Sequence, residues 1–338
     1  MRGRTTAAAG AVALLVLVGV LSGCAPDTSG RITTTVDIGC GEGTQVAPVD
    51  WYLPPAGMRP RALVWLQHGF VESKDDWRGL APAVAAQGAV VVAPSLPTFD
   101  PSGCNVENLG DNRAYLDHLA TLFAGIDEPD SALARSYGSA RALAGLHDEH
   151  DEHDGGDGDA RDHRARLPHR LVVVGHSAGG ETVLGVAERL RVNHPDTFAS
   201  LGGIVLEDPV NSFLGSTFAE ALDGLGPTAV PILTLASPPG ACNAFQSGIV
   251  LIEQRLAARP FRGAQVTTGT HGDVFGSAVM PLEALACGQP QPADVDAVRT
   301  LTLGWISDAA DGARRRTWYP GGAAYDALVA AGTISTLP

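Results

Sequence analysis

The stretch that most constrains this chain is Leu171 to Gly185, LVVVGHSAGGETVLG. Its first four residues are apolar, three of them β-branched, and they read as a buried parallel strand. A sharp Gly-His-Ser-Ala-Gly-Gly turn follows, and the pattern continues as a helix. Gly175-x-Ser177-x-Gly179 fits a nucleophile elbow, which holds a serine on a tight strand-to-helix turn. Glycines are needed there because backbone crowds both sides of the serine, and a Cβ would clash. The following helix aims its free N–H groups and positive dipole end at the serine. The pentapeptide alone is weak evidence in a chain with 41 glycines among 338 residues. The context makes it informative: a strand before, a helix after, and suitable partners downstream.

The rest of the chain supplies that context. Residues 32–38 and 46–53 predict two edge strands, with turn residues 39–43 between them. Residues 62–67 (ALVWLQ) form a buried strand that runs into His68-Gly69-Phe70. A helix is expected over 77–87, a strand over 89–93, and a long loop carrying Cys104 over 95–110. Apolar residues at 115, 116, 119, 122 and 123 give a helix over 112–123, and 131–146 continues helical. After the elbow strand (171–174) and its helix (181–191) come a strand at 203–206 and a loop with some helix over 213–225. Then follow a strand at 232–236, a helix over 247–258, a strand at 264–268 and a helix over 294–308. The pattern does not decide whether the tail, 314–338, packs back.

Strands alternating with helices mean an α/β fold, a mostly parallel sheet with helices on both faces. Residues 32–313 read as one such domain. Sites in such sheets lie outside the carboxyl ends of the strands. His68, Ser177, Asp208 and His271 all fall just after a strand.

The N-terminus stands apart from the fold. Arg2 and Arg4 precede an apolar run over 11–21, too short to be read as a membrane span. It ends in Leu21-Ser22-Gly23-Cys24, which resembles a bacterial lipobox. That resemblance implies a lipoprotein signal peptide over 1–23, lipidation of Cys24, and a tether over 24–31. The chain would then sit on the outer face of the bacterial cytoplasmic membrane. Gly3 separates the arginines, so they do not form a twin-arginine pair. The alternative is an ordinary secretory signal cut elsewhere, and it also exports the chain. Without residues 1–23 the net charge moves from −14 to −16, 21 basic against 37 acidic residues. A surface this acidic argues against nucleic acid as a partner and disfavours electrostatic binding to anionic lipid. Membrane attachment would therefore rest on acyl chains.

If Cys24 is lipidated, Cys40, Cys104, Cys242 and Cys287 remain, an even number in an oxidising compartment. Three pairings are open. Cys40–Cys104 with Cys242–Cys287 is favoured, because each pair ties one half of the fold. No spacing resembles a zinc knuckle.

The GHSAGG elbow, the HGF after the third strand, and an acid and a histidine after later strands together resemble the α/β-hydrolase fold. More narrowly, VLEDPVNSF (205–213) resembles chlorophyllases and the platelet-activating-factor acetylhydrolase group, whose acid often lies in a D-P-V element after that strand. THGDVFG (270–276) is similar to their histidine loop.

The resemblance makes Ser177 a nucleophile, inert until a base takes its proton, and His271 that base. His194 lies at the wrong end of the sheet, His118 is mid-helix, and His176 points elsewhere. Asp208 is the orienting acid. Many hydrolases of this fold carry the acid after the seventh strand, but that loop here reads SPPGACNAF and has no carboxylate. Glu207 is the nearest rival, still at the strand end and facing the opposite side. Oxyanion donors would be the N–H of Ala178 and, by resemblance, of Phe70. The expected chemistry is hydrolysis of a small-molecule or lipid ester through an acyl-enzyme, with no cofactor or metal required.

His147, His150 and His153 recur among carboxylates in an acidic, His-rich stretch over 147–169. It reads as a solvated, disordered insertion, with loose Zn²⁺ or Ca²⁺ binding as the alternative. A rival for the whole chain is a non-catalytic envelope lipoprotein that uses the fold as a binding module. The complete Ser, Asp, His order argues against it.

Overall fold

The structure, a computed structural model, describes residues 30–106, 110–146 and 166–338. The signal segment, Cys24, nearly all of the tether, and residues 147–165 of the acidic stretch lie outside the described residues. The end of that stretch, 166–169, belongs to the fold. Leu167 is buried, and His169 contacts Asp127 and Ser200.

Among the described residues, nine strands form one sheet in the order β1-β2-β4-β3-β5-β6-β7-β8-β9. β1 (Arg31–Cys40) and β2 (Gly43–Tyr52) make an antiparallel hairpin. β2 also pairs antiparallel with β4 (Ala89–Pro94). Only β1 is therefore an edge strand on this side. The expectation of two edge strands fails because β2 is paired on both sides. Its last four residues are accordingly buried. β4, β3 (Ala62–Gln67), β5 (Leu171–His176), β6 (Leu201–Glu207), β7 (Ile232–Ala236) and β8 (Gly263–Val266) run parallel.

β3 through β7 are buried along their full lengths. Strands covered on both faces become continuous apolar runs, which is why the sequence pattern finds them. Successive side chains point to opposite faces. Leu63, Trp65, Leu171 and Val173 face one core layer, and Val64, Leu66, Val172 and Val174 face the other.

The helices, in chain order, are α1 (Ala81–Ala86), α2 (Arg113–Ala124), α3 (Ala132–Leu143), α4 (Ala178–Asn193), α5 (Pro195–Ala199), α6 (Thr217–Leu225), α7 (Ser247–Arg255), α8 (Pro281–Cys287), α9 (Pro292–Asp311) and α10 (Ala323–Ala330). The first core layer is built from α2, α3, α4, α6 and α7, the second from α1, α9 and α10. The helix expected over 77–87 is divided. A 3₁₀ turn spans Lys74–Gly79, capped by Ser73, and α1 begins afresh with Pro82 in its first turn. Proline is tolerated there because no N–H is needed from it.

The tail packs back. α10 leads into β9 (Ile334–Thr336), which pairs antiparallel with β8 and closes the sheet. Tyr319 and Tyr325 set their rings against Phe261. Both favoured disulfides are present, Cys40–Cys104 and Cys242–Cys287, each with Cα atoms 5.7 Å apart. Among the described residues no helix is long and apolar enough to cross a membrane.

Candidate active site

Ser177 is the joint between β5 and α4. Its backbone has φ 54° and ψ −127°, a region that side-chain-bearing residues seldom occupy. Three hydrogen bonds hold it there. Its N–H donates to Glu207 C=O at 3.0 Å, and its own C=O accepts from Gly180 N at 2.9 Å and Val210 N at 3.1 Å. The predicted crowding is real. A Cβ on Gly175 would meet Gly179 O at 2.4 Å, and one on Gly179 would meet His68 O at 2.4 Å. A strained serine at the carboxyl end of a central parallel strand, followed at once by a helix, has the geometry of a nucleophile elbow.

Asp208 follows β6 directly, with φ 43°. Its carboxylate accepts from Ser237 N at 2.9 Å, Ser237 Oγ at 2.6 Å and His271 Nδ1 at 2.6 Å, with Asn243 Nδ2 at 3.3 Å. The SPPGACNAF loop, which lacks an acid of its own, thus supplies donors to the acid on the neighbouring strand. Burial alone would raise the Asp208 pKa. The bonds and charge of His271, with those of Ser237, outweigh it and hold the carboxyl below its ordinary value. Glu207 faces the other way and accepts from Thr302 Oγ1 at 2.6 Å. Burial pushes it up to about 7.

His271 lies in the turn after β8, which Asp273 braces by accepting from Thr270 N at 2.9 Å and Thr270 Oγ1 at 2.6 Å. A carboxylate only accepts, so Nδ1 of His271 carries the hydrogen of this contact, and in the neutral ring Nε2 offers its lone pair. That is the tautomer a general base needs. The structure brings Asp208 and His271 into contact and sets them beside the elbow. Among the described residues no hydrogen bond joins Ser177 Oγ to His271. Such contacts are often long without substrate and tighten in the Michaelis complex.

His68 is fully buried and binds Gly69 O through Nδ1 at 2.8 Å, while its Nε2 accepts from Leu96 N at 2.9 Å. Burial lowers its pKa. It is a neutral strut between the loops after β3 and β4. Phe70 and Val71 follow it, with their side chains exposed. Ala178 is the first residue of α4.

One contact escapes the sequence reading. His176, the last residue of β5, points away from Ser177, as expected, but not into inert packing. Its Nε2 donates to His271 C=O at 2.7 Å and its Nδ1 meets Glu72 at 2.9 Å. The only available signal was that Glu72 and His176 both lie at or just beyond the carboxyl end of a strand. Glu72, His176 and His271 converge closely enough to hold a metal ion, one ligand atom from each lying within 4.8 Å of the others. Both nitrogens of His176 and Nδ1 of His271 are already engaged, so the trio reads as a hydrogen-bonded chain. Beside His271, between the loop after β7 and α8, lies a cleft of about 250 Å³. The Cys242–Cys287 disulfide forms part of its wall, and its lining has no Asp, Glu, Lys or Arg.

No protein-family model matches the chain, and no curated protein matches its sequence. Solved structures with a similar course include brefeldin A esterase, a bacterial homologue of human hormone-sensitive lipase. It shares 13% identity over 89% of this chain and 81% of that one, with a TM-score of 0.49. Dienelactone hydrolase from Anabaena variabilis shares 16% over 82% of this chain and 97% of that one, TM-score 0.44. The thermostable carboxylesterase EstE1, cloned from a metagenomic library, shares 15% over 84% and 90%, TM-score 0.45. At such identities the chemistry rests on this chain's own residues.

Proposed function

We propose that this chain is a serine carboxylic-ester hydrolase acting through a Ser177–His271–Asp208 triad. The observation that carries the reading is the buried 2.6 Å contact between Asp208 and His271 beside a serine held at positive φ. Nε2 of His271 takes the proton of Ser177 Oγ as Oγ attacks the ester carbonyl. The N–H groups of Ala178 and Phe70 receive the developing oxyanion. Neither has a hydrogen-bond partner among the described residues. Each such donor is worth about 3 kcal/mol of barrier. His271 then returns its proton to the leaving alcohol, and a water activated by the same imidazole releases the acid.

The mouth of the site favours uncharged, apolar esters. Phe70, Phe99, Phe213, Leu214 and Phe245 are exposed on loops that follow β3, β4, β6 and β7. The loop from Ser237 to Gln246 has no charged side chain. Nothing in that loop would repay an anionic substrate for its desolvation. VLEDPVNSF and THGDVFG further ally the chain with the chlorophyllase and platelet-activating-factor acetylhydrolase group. We also propose that it is exported and anchored to the outer face of the cytoplasmic membrane by lipid on Cys24. Incorporation of a palmitate analogue in a bacterial host, lost in Cys24→Ser, tests the anchor.

For the reaction, Ser177→Ala abolishes hydrolysis of p-nitrophenyl butyrate while the melting temperature holds, and a fluorophosphonate probe labels Ser177. Turnover retained in Ser177→Ala would end the proposal.

A further inference from the structure

We propose that Glu72 and His176 are positioning residues that lock the oxyanion loop, the elbow and the base loop to one another. The inference rests on the esterase reading of the same site. Glu72 Oε2 accepts the N–H of Gly69 at 2.6 Å, one residue before the proposed donor Phe70. That loop is pressed against the nucleophile, since a Cβ on Gly69 would lie 2.6 Å from Ser177 Cβ. The same carboxylate holds Nδ1 of His176 at 2.9 Å, and His176 is peptide-bonded to Ser177. Nε2 of His176 then donates to the backbone carbonyl of His271 at 2.7 Å. The His176 ring packs against the rings of His271 and Phe275, with centroids 4.5 and 4.6 Å away.

One carboxylate and one imidazole thus join the loops after β3, β5 and β8. Both side chains are almost wholly shielded from solvent, His176 at 0% and Glu72 at 5% exposure. The protonation follows from the geometry. A carbonyl only accepts, so Nε2 of His176 carries hydrogen, and Nδ1 faces a carboxylate. Burial alone would lower the His176 pKa, but the Glu72 charge outweighs it and raises it to about 9. Burial would raise Glu72, and His176 in turn holds it low. The pair is an imidazolium–carboxylate that holds three loops by hydrogen bonds without adding net charge.

The test compares Glu72→Ala, Glu72→Gln, His176→Phe and His176→Gln on p-nitrophenyl butyrate, with Ser177→Ala as reference. Glu72→Ala and His176→Phe lower kcat by roughly 100-fold, the loss that follows a shift of about 1 Å at the reacting groups. KM stays within about twofold, because neither residue meets substrate. Glutamine at 72 still accepts from Gly69 and donates to Nδ1 of a neutral imidazole. Glutamine at 176 still donates to the His271 carbonyl. Both glutamine variants therefore keep kcat within about tenfold. A packing role predicts the reverse order, with phenylalanine tolerated at 176 and glutamine not. Thermal melts of the glutamine variants confirm that the comparison is made on folded protein. If Ser177→Ala is inactive while Glu72→Ala and His176→Phe turn over at the wild-type rate, the positioning role falls and the esterase reading stands. If Ser177→Ala turns over like the wild type, the reading falls and the pair's role falls with it.

Discussion

Asp208 and His271 lie 63 residues apart in sequence and 2.6 Å apart in space, carboxylate to Nδ1. Ser237 N–H holds the other carboxylate oxygen, Oδ1, while Ser237 Oγ and Asn243 Nδ2 donate to the Oδ2 that His271 binds, so the carboxylate cannot rotate away from the ring. Its charge fixes the His271 proton on Nδ1. Asparagine in its place would turn an N–H₂ toward that nitrogen and favour the wrong tautomer. Asp208→Asn is expected to lower kcat by about 10⁴-fold with little change in melting temperature. A loss smaller than tenfold in ester turnover would move the acid elsewhere.

Glu207 provides the contrast. It is adjacent to Asp208 yet bonded to Thr302 of α9 on the other side of the sheet. Burial raises its pKa to about 7, against the hydrogen bond from Thr302 and the charge of His176 and with a small further push from Asp208. An acid whose folded pKa lies above its unfolded value weakens the fold as pH rises between the two, here from 4.5 to about 7. Above that window the cost is on the order of 3 kcal/mol. Glutamine keeps the acceptor for Thr302 and removes the buried charge. Glu207→Gln should therefore raise the melting temperature at pH 8 more than at pH 5 and leave ester turnover near wild type. Equal shifts at both pH values would contradict the account.

The elbow can be probed through Gly179. A Cβ there would face two carbonyl oxygens, His68 O at 2.4 Å and Gln67 O at 2.5 Å. Neither belongs to a flexible side chain, so β3 and α4 must separate. Gly179→Ala should lower stability by about 1–3 kcal/mol or more and lower kcat through the displaced oxyanion loop. Unchanged denaturant midpoint and rate would show the contact to be relaxed in solution.

The parts of this molecule legible in its sequence share one property, a local pattern imposed by burial. β3 and β7 match their predicted bounds because central parallel strands read as unbroken apolar runs. Ser177 and Asp208 stand out in the sequence because each directly follows such a run, whereas His271 comes after a four-residue strand containing a half-buried glutamine, a much weaker pattern. β5, predicted to stop at 174, continues through Gly175 and His176, which pair with Leu206 and Glu207. Polar residues at a strand end look like a turn until the partner strand is known. α8, α10 and β9 are short and peripheral, with too few residues to show a period. The Glu72–His176 chain had no local pattern at all. One acid and one histidine 104 residues apart become partners only through the sheet order.

The two disulfides should differ in what they protect. Cys242–Cys287 joins the loop that supplies Ser237 and Asn243 to Asp208 with the end of α8, just beyond the His271 turn. Cys40–Cys104 joins the tip of the β1–β2 hairpin to the loop after β4, and neither cysteine contacts the triad. Their sequence separations are 45 and 64 residues, so loop-closure entropy assigns each about 4 kcal/mol of stability. On stability alone they should look alike. On catalysis they should not, because only the first fixes the donors that orient the acid. Cys242→Ser with Cys287→Ser is expected to lower both the denaturant midpoint and kcat, measured on p-nitrophenyl butyrate well below the new midpoint. Cys40→Ser with Cys104→Ser should lower the midpoint by a similar amount and leave kcat near wild type. Equal effects of the two pairs on kcat would mean that the loop after β7 is held by its own hydrogen bonds, and that its covalent tie to α8 serves stability only.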